Sequence, residues 1–143
     1  MANQDYIRVN RLLAGVMFLV SFMVYFSTMA PSVSYWDCGE FIAVAYRLGV
    51  PHPPGSPLFL LLGRIISMFP FSPDIAFRVN VLSPLVSAFA VMFLYLIIVQ
   101  VINHWKGGIT NTIEAIIAFG SAAIGSLVFA FTDSHWFNAV EAE

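Results

Sequence analysis

The residues able to do chemistry crowd into one stretch, PSVSYWDCGEFIAVAYRLGVPHPPGSPLF (residues 31–59), directly after the first long apolar run. It holds two acids (Asp37 and Glu40), Arg47, His52, five prolines and three glycines. Asp37 and Glu40 are three positions apart, so on a helix their carboxylates share one face. Each polar residue also has a plain structural reading. Asp37 can cap a helix, Glu40 can be solvated, Arg47 can pair with an acid or a headgroup, and His52 can be a turn residue between prolines. Their concentration between two segments that hug a membrane favours surface chemistry. Two acids, a histidine and nearby arginines suit an anionic, lipid-linked substrate.

The elements that position this stretch are apolar helices. The 143-residue chain is 59% hydrophobic and 10% charged, with mean hydropathy +0.85; soluble domains carry roughly 25% charged residues, so the chain reads as membrane-embedded. A net charge of −2 without a basic run points away from nucleic acid, and the single cysteine, Cys38, rules out an internal disulfide. The run over residues 12–30 has 19 residues and no charge, enough to cross a bilayer core of roughly 30 Å. Arg8 and Arg11 precede it and predict a cytoplasmic N-terminus. Pro31 follows the small-residue site TMA, which favours a retained anchor over a cleaved signal peptide.

Two further spans are expected over residues 79–103 and 112–131, joined by the polar turn HWKGGITN. The last carries Gly120, Ser121, Ala122, Gly125 and Ser126, small residues that let helices approach closely in lipid. Residues 57–71 are apolar but make a helix of only about 22 Å, and Arg64 at their centre would cost at least ~2.5 kcal/mol in the bilayer. An interfacial helix with Arg64 facing water or headgroups fits better. The fold class is therefore all-α integral membrane: three transmembrane helices, with two interfacial helices in an external loop over residues 31–78. Within that loop, Ser34 and Asp37 read as a capping box starting a helix near Tyr35, which Gly49 and Pro51 end. Phe41, Ile42, Ala45 and Leu48 form its apolar stripe, PHPPGSP is a rigid extended hinge, and Ser56–Pro57 starts the interfacial helix.

These motifs resemble the GT-C class of lipid-dependent glycosyltransferases, and within it the protein O-mannosyltransferases. That family has an acid motif opening the first outer loop and an HPP element before an interfacial helix. Here WDCGEF and HPPGSPLFLLLGRI stand in those places. PSVSYWDCGEFIAVAYRLGVPHPPGSPLF, AFRVNVLSPL and HWFNAVEAE look most like a bacterial branch similar to the animal transmembrane O-mannosyltransferases. The family's acids are adjacent, whereas Cys38 and Gly39 separate them here, so Asp37 is the firmer equivalent and Glu40 the weaker. Members of the class have many more spans, so the resemblance makes residues 1–143 the N-terminal part of a GT-C fold, expected to be inactive alone.

The resemblance implies inverting transfer of a sugar, mannose in this family, from a polyprenyl-phosphate donor to a protein hydroxyl on the outer face. Asp37 would be the catalytic base, with Glu40 beside it. Arg64 and Arg78 would bind the lipid phosphate, His52 would support either the phosphate or the acids, and His135 and Glu143 would return to the same face as substrate-binding groups. The implied location is a bacterial inner membrane with a periplasmic loop. The implied partners are membrane lipid, the lipid-linked donor and a protein acceptor. No metal ligand is assigned, since two acids and one histidine are not a diagnostic set, and divalent-metal dependence stays open. Two rival readings are a transporter fragment, which would place ionisable residues inside spans, and a non-catalytic scaffold or lipid-binding subunit, which would not need Asp37.

Overall fold

A computed structural model describes residues 3–53 and 55–142. Among them the chain is all-helical, in the order α1 (Asn3–Thr28), α2 (Cys38–Arg47), α3 (Pro57–Ser67), α4 (Ile75–Asn80), α5 (Leu82–Lys106), α6 (Thr112–Ala130) and α7 (Asp133–Ala139). Three helices are long and apolar enough to cross a membrane: Gln4–Thr28, Ile75–Lys106 and Thr112–Ala130. The second runs through both α4 and α5. The break at Val81 has a local cause: Pro84 has no N–H, so the Asn80 carbonyl loses its helical donor. This second helix starts four residues earlier than residue 79, and the loop before it is correspondingly shorter than expected.

The chain divides into two compact units, Met1–Met23 with Ser87–His135, and Val24–Val86 with Trp136–Glu143. In the first, α6 buries Ala115, Ala118, Phe119, Ala122, Ser126 and Ala130, a stripe at helical spacing. A Cβ added at Gly125 would lie 3.4 Å from the Ile98 side chain, so small size matters there. Gly120 and Ser121 face outward instead, so only part of the small-residue set makes contact. Phe18 lies against Phe89 with ring centroids 4.6 Å apart. The α5–α6 turn uses Gly107 at φ +73 and Gly108 at φ +126, backbone that glycine adopts without steric cost. Asn111 caps α6 by accepting from the Glu114 N–H, and Glu114 accepts in return from the Thr110 N–H.

The second unit is built around α2, α3 and α4. Its core comprises Cys38, Phe41, Ile42, Ala45, Leu60, Ala76, Val79 and Ala142. Three short amphipathic helices bury facing stripes because none can shield its apolar face alone. Gly63 sits where α3 passes the others: an added Cβ would be 3.1 Å from the Ala45 Cβ and 3.5 Å from a Val79 methyl. The outer side of α3 presents Leu58, Leu61, Ile65 and Met68. At 11 residues, or about 16 Å, α3 is too short to span. An exposed apolar face on a short helix is what an interfacial element requires.

Candidate active site

Three polar residues of the opening stretch converge. Asp37 occupies the N-cap position of α2, Glu40 lies in its first turn, and His52 follows α2 by a short connection. Glu40 accepts from the His52 backbone N–H through Oε1, and its Oε2 meets His52 Nδ1, both at 2.8 Å. His52 Nε2 lies 3.7 Å from Asp37 Oδ2. One ligand-type atom from each residue falls within 4.8 Å of the other two, and all three residues are exposed. Phe41 places its ring edge-on to the imidazole, 6.0 Å between centroids.

The electrostatics follow from that geometry. The side-chain hydrogen bond to Glu40 raises His52 above its ordinary 6.5, helped by the Glu40 charge and more weakly by Asp37. The same hydrogen bond, then the one from the His52 backbone, holds Glu40 below its ordinary 4.5. Both groups favour their charged forms because each stabilises the other.

The route to this arrangement differs from the expected one in four places. Ser34 does not cap α2; its hydroxyl donates to Glu141 Oε2, and α2 begins at Cys38. Trp36, expected inside the helix, takes φ +60 just before Asp37 and is 83% exposed. Leu48, not Gly49, adopts the left-handed conformation that ends α2, at φ +54. PHPPGSP is not extended throughout: the Gly55 N–H closes a turn on the His52 carbonyl, with Gly55 at φ +76. The imidazole lies beside the first turn of α2, held there by Glu40.

The arginines have other immediate partners. Arg64 donates through one guanidinium nitrogen to the Tyr46 carbonyl and lies 5.4 Å over the Tyr46 ring. Arg78 donates to the carbonyls of Ser72 and Ser67. Both therefore tie helices and connections of the second unit together. Each guanidinium has five N–H donors, more than these carbonyls take. His135 belongs to the first unit, where its ring lies tilted against Phe129 with centroids 4.2 Å apart and burial lowers its pKa. Glu143 lies outside the described residues.

Two contributors had no motif to announce them. Asn80 is fully buried and donates to the carbonyls of Ala30 and Ser32, while its Oδ1 faces the Cys38 thiol at 3.8 Å. It thus holds the end of α1, the connection and the start of α2 together, which sets where Asp37 stands. A lone amide within AFRVNVLSPL was the available signal. Glu141 is buried, receives the Ser34 hydroxyl, and its neighbour Val140 accepts from the Ala30 N–H. Beside Pro51, an apolar recess of about 450 Å³ is lined by Leu48, Val50, Pro57, Leu60 and Leu61.

Three helices long and apolar enough to cross a bilayer define an integral membrane protein. The chain belongs to the family described as protein O-mannosyl-transferase TMEM260 N-terminal domain, which it matches over residues 37–143. It is 40% identical over 95 residues to the protein O-mannosyl-transferase tmem260 of Dictyostelium discoideum, covering 64% of this chain and 12% of that protein. It is 41% identical over 87 residues to the mouse protein O-mannosyl-transferase TMEM260, covering 60% of this chain and 12% of that protein. The chain thus spans about an eighth of the length of these relatives. No solved structure matches it.

Proposed function

We propose that this domain forms part of a membrane glycosyltransferase that moves mannose from a polyprenyl-phosphate donor to a protein hydroxyl. The observation that carries this reading is the family match, which begins at Asp37 and includes the Asp37–Glu40–His52 cluster. Asp37 takes the proton as the acceptor hydroxyl attacks the anomeric carbon, which inverts the configuration and releases the lipid phosphate. Its carboxylate is exposed and lies beyond hydrogen-bond range of His52, so an incoming hydroxyl can reach it. Glu40 and His52 support it. Arg64 and Arg78 share their remaining donors with the phosphate, offsetting the charge that develops on the leaving group. The apolar recess beside Pro51 suits the isoprenoid end of the donor. The N-terminus lies in the cytoplasm and the loop on the outer face of a bacterial inner membrane.

The test uses the full-length protein carrying Asp37→Asn, assayed with labelled polyprenyl-phosphate mannose and a protein acceptor. Loss of transfer with donor binding retained is expected. Unchanged transfer would sink the catalytic assignment and favour a lipid-binding scaffold.

A further inference from the structure

We propose that the indole of Trp36 is the platform on which the mannosyl ring of the donor stacks, a role that rests on the transferase reading above. Trp36 adopts φ +60 and is 83% exposed. A left-handed backbone brings Cβ against the following carbonyl, so glycine, asparagine and aspartate fill most such positions and a bulky aromatic is an outlier. Here the strained residue buries almost nothing in return, so packing does not account for the indole. Outliers of this kind collect where a side chain is held ready for a ligand.

The segment around it is braced. Asn80 donates to the Ala30 and Ser32 carbonyls, and Ser34 donates to the buried Glu141. A Cβ at Gly39 would lie 3.2 Å from a Val33 methyl, so the missing side chain lets Val33 settle on the first turn of α2. Beyond Trp36, the Asp37 carbonyl already accepts from the Phe41 N–H. The indole is therefore displayed from chain that is fixed on both sides of it.

Its place selects the ligand. Asp37 takes the proton of a hydroxyl that bonds to the anomeric carbon, so the sugar stands one hydroxyl away from that carboxylate. Trp36 is the adjoining residue, its Cα about 3.8 Å from that of Asp37. An indole offers an apolar face to the C–H side of a pyranose and an N–H to one of its hydroxyls. A lipid phosphate has no such face to stack.

The experiment measures binding of polyprenyl-phosphate mannose and of unglycosylated polyprenyl phosphate to full-length protein in lipid nanodiscs, with transfer followed in parallel. Trp36→Gly should bind the mannosylated lipid about tenfold more weakly, the scale of losing one stacked ring, and the bare lipid as well as wild type does. Its melting temperature should match or exceed that of wild type, because glycine adopts φ +60 without steric cost. Trp36→Phe keeps a flat face and should retain most of the affinity. Trp105→Leu, in the last turn of α5, should change the affinity for neither lipid. Unaltered affinity of Trp36→Gly for the mannosylated lipid overturns the proposal. Equal losses for both lipids would make the indole a bilayer anchor, and a raised acceptor KM with donor affinity intact would make it an acceptor contact. Either result overturns the platform. Any of these outcomes in protein that still transfers mannose sinks the platform alone. Wild-type protein that transfers no mannose sinks the transferase reading, and the platform with it.

Discussion

Glu40 grips His52 at two points, backbone N–H and Nδ1, each at 2.8 Å. The connection after α2 is thereby latched to its first turn, and the ring faces Asp37. His52 should titrate above 6.5, and Glu40→Gln should move it back down. A raised histidine contributes stability that is complete below 6.5 and disappears as pH rises through the folded value. A depressed carboxylate contributes stability that is complete above 4.5 and disappears as pH falls through its folded value. Protection of the loop amides from hydrogen exchange should therefore be greatest between 4.5 and 6.5. Imidazole resonances followed by NMR, with exchange read in parallel, check both points.

Asn80→Ala should loosen the loop more than a surface substitution can. It removes the donor to the Ala30 and Ser32 carbonyls from a fully buried position. Each buried group left unsatisfied costs about 1–3 kcal/mol. Limited proteolysis between residues 31 and 37 should accelerate, and thermal stability in nanodiscs should fall. Resistance equal to wild type would show that these hydrogen bonds do not hold the connection.

Gly63→Val tests the close passage of α3. Its Cβ would meet Ala45 at 3.1 Å, and Ala45 is itself fully buried. Forcing extra carbons into such a contact typically costs about 1–3 kcal/mol. The loss should appear as a lower melting temperature. Because Ala45 lies on α2, the His52 resonances should also broaden.

Asn111→Ala removes the side chain that accepts from the Glu114 N–H at 2.9 Å. Loss of such a cap costs about 1 kcal/mol. Hydrogen exchange in the first turn of α6 should quicken, while the Asp37 cluster, in the other unit, keeps its protection. The two units would then be separable in stability as they are in contacts.

Arg64→Lys should also be felt. Lysine can reach a carbonyl but cannot stack a planar guanidinium on Tyr46, which Arg64 overlies at 5.4 Å. Melting temperature should drop slightly, and Tyr46 fluorescence should change.

Hydropathy and length alone were enough to place the long helices, because crossing a bilayer demands an uninterrupted apolar run that nothing distant can replace. The third span, residues 112–131 as read and Thr112–Ala130 as found, is the clearest case. The i, i+3 relation of Asp37 and Glu40 was likewise legible, since helix geometry is local. What was not legible depends on partners far apart in the chain. Ser34 looked like a cap but faces Glu141, 107 positions away. Asn80 looked like a stray amide but joins α1, the connection and α2. His52 meets Glu40 across 12 positions, in a segment that turns at Gly55 rather than extending through its prolines. Sequence determined which groups were available for chemistry, and tertiary structure decided which met, because a buried polar atom takes whatever partner the packing brings within reach.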